Sequence, residues 1–470
     1  MRLLHRSVCR TARGLAALAL LTTWLLGESA GQDAKTGPPE PLPKELVQAW
    51  KKAGAKVGWQ RQIGSLTFEF VPEEKDAKAG DLPALKFPPL KKVVLAKLPP
   101  PDAPFALDIG GPRAEEVDLS PLAGVTTLQA LDVSEAKLTA AGLKPLAGLE
   151  KLQRLNLRAT EVTDGGLALL GTLRNLAWLD LSDTKITDAG LRELTSLSGL
   201  QTLDLRATLV TDVGVTQLRG LKNLQTLDLA DTKVTDAALK DLAGLSSLRT
   251  LDLGYGKVTD AGLKQLAGLT GLQTLRLGGT QITDAGLAHL RGMKGLQKLD
   301  LSGTLVSDEG LKEVAGFKNL QSLRLTHTRV TDAGLKELAG LKGLRWLYLN
   351  DNKAVSNAGL TQLAGLKSLQ VLDLSRTGVS DVGMKDLLGL KDLQVLDLNR
   401  TGVTDAAIKE LVGLKSLRVL RLAYTAITDT GLADLARMKG LQELVVTRNR
   451  VSIEGVEQLQ KLLPGCRIIN

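Results

Sequence analysis

A leucine recurs along this chain at positions 128, 152, 176, 200, 224, 248, 272, 296, 320, 344, 369, 393, 417 and 441. The interval is 24 residues throughout, except for one of 25 after Leu344, where Ala354 reads as the extra residue. Three consecutive stretches carry the pattern: LQTLDLRATLVTDVGVTQLRGLKN from Leu200, LQTLDLADTKVTDAALKDLAGLSS from Leu224, and LRTLDLGYGKVTDAGLKQLAGLTG from Leu248. Pro104–Ile109 reads as a degenerate earlier unit and Gly465–Asn470 as a truncated last one. A period held this long specifies a solenoid, because one unit cannot bury its own leucines and its neighbours must stack against them.

One unit reads as a short strand followed by a short helix. In LQTLDL, Leu200, Leu203 and Leu205 point inward while Thr202 and Asp204 point outward, as strand alternation requires. In TDVGVTQLRGL, Thr211 is placed to cap a helix and Asp212 suits its positive end. Val215 and Leu218 return to the core, and Gly220 is expected to end the helix in a left-handed conformation. Strands stack ~4.8 Å apart whereas helices need ~10 Å, so the strand side is the inside of an arc of roughly 60–65 Å.

The LxxLxL run and the polar residue two positions after it resemble the leucine-rich repeat family over residues 104–470. That polar residue is usually Thr (Thr160, Thr184, Thr208, Thr232, Thr280, Thr304, Thr328, Thr377, Thr401, Thr425), while Asn352 and Asn449 keep the family's commoner Asn. Its role in the family is to bond buried backbone groups at the turn after the strand, which a Thr hydroxyl performs in part. The resemblance implies an α/β fold: a right-handed leucine-rich repeat solenoid, a curved horseshoe with parallel strands on the concave face and short helices on the convex face. The V-T-D-A-G-L segment resembles the subclass of ribonuclease-inhibitor-like proteins and F-box-associated repeats. No F-box segment is present and the N-terminus reads as an export signal, so the resemblance carries fold and general role rather than a pathway.

Composition then removes most enzyme classes. There are two cysteines, Cys9 and Cys466, and three scattered histidines, His5, His289 and His327. Neither a disulfide framework nor a Cys-rich metal site can be built from them, and no cofactor or metal site is expected. The one G-x-S-x-G string, at 27–31, falls just after the apolar N-terminal run and not within the repeats, and the chain has no HExxH pair or phosphate-binding loop. The net charge of +9 divides evenly among residues 1–31, 32–103 and 104–470, so no basic face for nucleic acid is expected.

Met1–Arg13 is basic and Gly14–Leu26 is an apolar run of 13 residues, too short to span a bilayer comfortably but suited to a signal segment. Ser29-Ala30-Gly31 offers a cleavage site, best after Gly31, so residues 1–31 read as a signal peptide. An uncleaved N-terminal anchor is the alternative, and no later transmembrane stretch is expected. The protein is therefore expected to be exported: periplasmic, secreted or at the cell surface. Residues 32–103 read as a Pro-containing linker and a small N-terminal cap for the first repeat, with a helix near 42–55 and strands at 65–71 and 91–98. Such a segment also has the size of a small binding module.

Function is expected on the outward strand positions, which folding does not dictate. Five of the six aromatics from Leu128 onward fall on or near that face: Trp178, Tyr255, Trp346, Tyr348 and Tyr424, the exception being Phe317. Arg324, His327, Trp346, Tyr348 and Arg376 come from adjacent units, and Arg400, Arg421, Tyr424 and Arg448 continue the cluster. Exposed aromatics and Arg suit an acidic or planar group on a protein or peptide partner. With Trp178, Trp346 and Tyr348 as stacking platforms, an envelope or extracellular polysaccharide is the alternative ligand. Asp180, Asp204, Asp228 and Asp252 form a second, acidic row, with Arg158 and Arg206 placed to offset it. Like charges at strand spacing cost ~1 kcal/mol per adjacent pair. The row is read as the repeat default at a solvated position, without burial to separate its pKa values. Its functional alternative is a site for a basic partner or a divalent cation. The whole reads as a non-enzymatic binding scaffold.

Overall fold

The computed structural model describes residues 40–88, 95–112 and 116–470, which fall into two compact units, one ending at Asp228 and the other spanning Leu229–Asn470. The expected signal segment and most of the linker lie outside the described residues, as do 91–94 of the expected strand at 91–98. Leu95–Lys97 form a single 3-10 turn instead. Among the described residues no helix is long and apolar enough to cross a membrane.

The first unit opens with α1 (Lys44–Lys52), whose Trp50 is buried and donates from Nε1 to Pro99 O at 2.9 Å. Strand β1 (Lys56–Gln62) pairs antiparallel with both β2 (Phe68–Val71) and β3 (Leu82–Lys86). Strand β3 then pairs in parallel with β4 (Phe105–Asp108), so the N-terminal module is joined edge-on to the repeats. The parallel sheet continues through β5 (Leu128–Asp132), β6 (Arg154–Asn156), β7 (Trp178–Asp180), β8 (Thr202–Asp204) and β9 (Thr226–Asp228).

The module does more than close the end of the stack, because β2 also lies over the outward face of the first repeats. Small side chains at Ala84, Ala106 and Ala130 leave room there for Phe70. Phe68 meets Trp178 edge-on, with centroids 5.2 Å apart, and Arg154 stacks on the Phe68 ring at 4.9 Å. Ser65 O accepts from Trp178 Nε1 at 2.8 Å. Gly58 permits the close approach, since a Cβ on it would run into Val71 O and the Phe70 ring.

The second unit is an open parallel sheet of β10 (Thr250–Asp252), β11 (Thr274–Arg276), β12 (Lys298–Asp300), β13 (Ser322–Arg324), β14 (Trp346–Tyr348), β15 (Val371–Asp373), β16 (Val395–Asp397), β17 (Val419–Arg421), β18 (Glu443–Val445) and β19 (Arg467–Ile469). Leu275 pairs with Leu299, Leu299 with Leu323, and Leu323 with Leu347. All of these inward leucines are fully buried. Each strand before β19 is followed by a short α- or 3-10 helix, as in Asp308–Val314 and Asp332–Leu335. The fold is therefore the solenoid expected from the repeat, with strands on one side and short helices on the other.

The V-T-D-A-G-L segment is a polar stitch between successive repeats. Thr331 caps its own helix by accepting from Ala333 N at 3.2 Å, and its hydroxyl donates to Asp308 Oδ2 of the preceding repeat at 2.7 Å. Asp308 Oδ1 takes the Thr331 N–H at 2.8 Å. Gly334 belongs to the same device, because a Cβ there would strike Asp308 Oδ1. The arrangement recurs at Asp188–Thr211, Asp260–Thr283 and Asp405–Thr428. At the turn after most strands of the repeats, the Thr hydroxyl closes its own repeat, as in Thr304 to Leu301 O at 2.6 Å, and Thr328 and Thr425 also donate to the Asn of the next repeat. Asn352 also reaches the previous repeat, donating to Leu325 O at 2.7 Å and Leu349 O at 2.9 Å.

One local expectation is corrected. Gly220 is not left-handed; its 3-10 segment ends at Leu221 with φ −81°. The left-handed position lies instead before the turn Thr or Asn, at Ala207 (φ 54°) and at the equivalent residue of other repeats. A chain that must redirect sharply between a three-residue strand and its inward Thr does so there.

Two outcomes follow. Asp308→Ala strands two donors of Thr331 and is expected to cost about 1–3 kcal/mol in a denaturant melt. Asp308→Asn is expected to cost less, since Asn357 fills the same slot and accepts from Ser380 N at 2.8 Å. Trp178→Ala removes the anchor of β2 and about 3 kcal/mol of packing. Limited proteolysis is expected to show faster cleavage in the 63–67 segment of that variant than in the parent.

Candidate functional site

The outward face of the strands is crowded, and crowding rather than the helices decides what it exposes. Neighbouring side chains stand at strand spacing, so each outward residue is walled by two others. Asp180, Asp204 and Asp228 accordingly retain only 6 %, 7 % and 6 % exposure. This corrects the expectation of a solvated acidic row. Asp180 and Asp204 each serve their own turn: Asp180 Oδ1 accepts from Ser182 N at 2.8 Å and Asp204 Oδ1 from Arg206 N at 2.9 Å. That is an Asx turn, and it explains why the repeat specifies LDL.

Burial pushes the Asp180 carboxyl above the usual carboxylate range, opposed by its bonds to Ser182 and by Arg158 and Arg206. Asp204 is raised well above that range, by burial first and then by Asp228 and Asp180. A buried, turn-bonded row does not present itself to a basic partner. Asp252 belongs to the second unit and pairs with Arg276 at 3.5 Å.

Trp178 is likewise corrected. It is 5 % exposed, closed off by Phe68 and Ser65, and offers no stacking platform to a polysaccharide.

In the second unit the predicted cluster divides between two places. His327 (φ 52°), Arg376 (56°), Arg400 (57°), Tyr424 (56°) and Arg448 (61°) all occupy the left-handed turn position, so they line the C-terminal rim of the strands rather than the strand face. All five are exposed. Arg400 stacks on the Tyr424 ring at 3.8 Å, and Arg376 lies 3.4 Å from Asp351 at the same position of the preceding repeat. A residue with a Cβ is disfavoured in this conformation by ~1–2 kcal/mol, and Gly279 and Gly303 take it without that cost.

Arg324, Trp346, Tyr348 and Arg421 stand on the strands themselves. Tyr348 is 4 % exposed, held between Arg324, whose guanidinium lies 4.4 Å from its ring, and Asp373 on the next strand. Arg421 is 5 % exposed and is tied to Glu443 at 3.1 Å and Asp397 at 4.0 Å. Both are therefore parts of the sheet's internal polar packing and not the free contacts expected. Trp346 remains half-buried.

Sequence reasoning missed the companions of Trp346. Its register partner is Val371, followed by Val395 and Val419 on the next strands, which makes an apolar stripe across four adjacent strands. The signal was the change from LQTLDL to LQVLDL and LRVLRL after Leu369, a Thr-to-Val switch at an outward position. Arg345 and Arg418 precede the strand residues Trp346 and Val419 and flank the stripe on its other side.

A depression lined by Lys318, Asn319, Gln321, Gly343, Arg345 and Ser368 has a volume of ≈ 220 Å³. That is below the ~300–1,000 Å³ of typical small-molecule sites.

The repeats match known families and structures. The family described as Leucine rich repeat matches residues 198–258 and 246–306, and a second profile of the same description matches 126–147, 173–194, 318–339, 365–388 and 413–436. A leucine-rich repeat protein of Leptospira interrogans is 25 % identical, with a TM-score of 0.54, over 82 % of this chain and 100 % of its own. An internalin of Listeria monocytogenes is 26 % identical, with a TM-score of 0.47, over 70 % of this chain and 84 % of its own. Mouse RP105, solved with MD-1, is 22 % identical, with a TM-score of 0.48, over 77 % of this chain and 70 % of its own. No curated protein matches the chain in sequence.

The buried carboxylates carry a pH signature. Asp397 is pushed up to about 7, by burial first and then by Asp373. Its folded value exceeds its unfolded one, so the folded state holds a proton that the unfolded state has lost between about pH 4 and pH 7. The resulting stabilisation is complete below that window and is lost as pH rises through it. Asp397→Asn keeps an acceptor for Asn399 N and removes the charge. It is expected to raise stability by about 2 kcal/mol at pH 8 and by much less at pH 4, measured by thermal melts at both values.

Proposed function

We propose that these leucine-rich repeats serve an exported, non-enzymatic scaffold that binds a protein or peptide partner on the strand face of the second unit. The observation that carries this reading is the contrast between two tryptophans at the same register position. Trp178 is sealed by the chain's own β2, whereas Trp346 stands half-exposed at the end of an apolar stripe. The rim beside that stripe carries exposed Arg376, Arg400 and Arg448 together with His327 and Tyr424. Aromatic and Arg side chains around a desolvated centre are the usual anchors of protein interfaces. Short backbone-bonded repeats hold such a platform rigid, so binding loses little conformational entropy.

Export rests on the basic Met1–Arg13 segment, the apolar Gly14–Leu26 run and the small residues at Ser29-Ala30-Gly31. Lack of catalytic function is read from the scarcity of His and Cys in the sequence and from side chains committed to packing, as with Arg421.

Affinity capture with the purified chain tests the reading. The double variant Trp346→Ala, Arg376→Glu is expected to lose at least about tenfold in affinity for a captured partner, or about 1.4 kcal/mol. Binding is expected to weaken as salt rises from about 50 to about 300 mM. Undiminished capture by the double variant overturns it. Intact mass of the secreted protein is expected to begin at Gln32.

A further inference from the structure

We infer that the stripe of Trp346, Val395 and Val419, bridged by the buried Val371, seats an extended acidic segment of a partner protein whose apolar residues come at alternate positions. The inference rests on the reading of this strand face as the binding surface and specifies what occupies it.

The first argument is that the chain already solves the same packing problem once. In the first unit the corresponding outward row is Ala84, Ala106, Ala130, Arg154 and Trp178. It is covered by a strand, β2, that sends Phe70 onto the alanines and Phe68 onto Arg154 and Trp178, with the intervening Glu69 turned to solvent. An extended segment crossing the repeats therefore fits this face, and alternate apolar side chains are what it uses to do so. In the second unit the stripe crosses four strands, a span of ~14 Å. At ~3.4 Å per residue, about five extended residues cross it and three of them face down.

Charge supplies the rest of the occupant's chemistry. Arg345 and Arg418 flank the stripe on one side, and Arg376, Arg400 and Arg448 on the other. The carboxylates on the strands and on the rim after them are already engaged or withdrawn, while Asp392, ahead of β16, is exposed. Asp351 faces Arg376, and Glu443 is held by Arg421 at 3.1 Å. Asp373 and Asp397 are buried at 9 % and 6 % exposure and are bonded to the N–H groups of Ser375 and Asn399. Arg345, Arg400 and Arg448 have no carboxylate at ion-pair distance among the described residues, and Arg418 donates to the carbonyls of Lys415 and Leu417. Two cationic rims around an apolar floor favour a segment that is apolar where it faces down and acidic beside those contacts.

The test is a displayed library of random twelve-residue peptides panned on the full chain, counter-selected on Trp346→Ala, with the recovered peptides titrated by fluorescence polarisation. Recovered peptides are expected to be net acidic with apolar residues at alternate positions. Their affinity is expected to fall at least tenfold with Trp346→Ala, and also with Arg400→Glu, an exposed site where the fold is not at risk. Replacing their acidic residues by Lys is expected to abolish binding. Peptides that require Trp346 but are basic, or whose apolar residues follow helical spacing, overturn the inference and leave the binding surface standing. If no peptide requires Trp346, and a photo-crosslinker at Val395 captures no protein either, the inference and the binding-surface reading fall together.

Discussion

No repeat of this chain can bury its own leucines. From β6 onward each strand contributes only three residues, and the inward one, such as Leu299 or Leu347, reaches full burial only because repeats on either side close over it. Stability is thus a property of interfaces between repeats, and anything that lets one slip against the next exposes a continuous apolar wall. The polar stitch resists that slip. Asp308 receives both the N–H and the hydroxyl of Thr331, and those two bonds are directional where leucine packing is not. Thr331 in turn caps its own helix, so one residue fixes both a local helix start and a long-range register.

The same stacking that buries the leucines sets the character of the opposite side of the strands. Parallel strands in register bring like residues beside like, and side chains pointing outward lose solvent to their neighbours. Asp204 is squeezed between Asp180 and Asp228, and Tyr348 is flattened between Arg324 and Asp373. Residues that escape this crowding do so by leaving the strand. The left-handed turn position lifts His327, Arg376, Arg400, Tyr424 and Arg448 to the rim, where they stay exposed. The result is a face with a packed floor and an exposed edge, and accessible side chains are concentrated at that edge and where, as at Trp346, the floor opens.

Much of the repeat region was legible in the sequence because its signals are local and periodic. Strand phase, the helix start at Thr211 with its bond from Val213 N at 3.2 Å, and the backbone role of the Thr and Asn residues all follow from spacing within one unit. Exposure was not legible. Whether Asp180 or Arg421 faces water depends on residues 24 positions away and on the size of what stands there. The covering of Trp178 depends on Phe68 and Ser65, more than a hundred residues earlier. Strands β1 and β3 were missed for a related reason: Gly58 and Pro83 interrupt their patterns, and only their mutual pairing makes them strands. The Val371–Val419 stripe was available as a Thr-to-Val switch, yet its meaning came from seeing the four residues side by side.

The odd residue near Ala354 carries a practical consequence. Thr328 still bonds Asn352 at a separation of 24, whereas Asp332 reaches Ser356 at 24 where its counterparts span 23. The extra residue is therefore absorbed between Asn352 and Ser356, with the ladder intact on both sides. Lys353 and Ala354 are exposed there. This loop is a natural seam in an otherwise strict lattice, where a tag, a spin label or a short graft can be spliced in beside Trp346 without transmitting a shift to the strands around it.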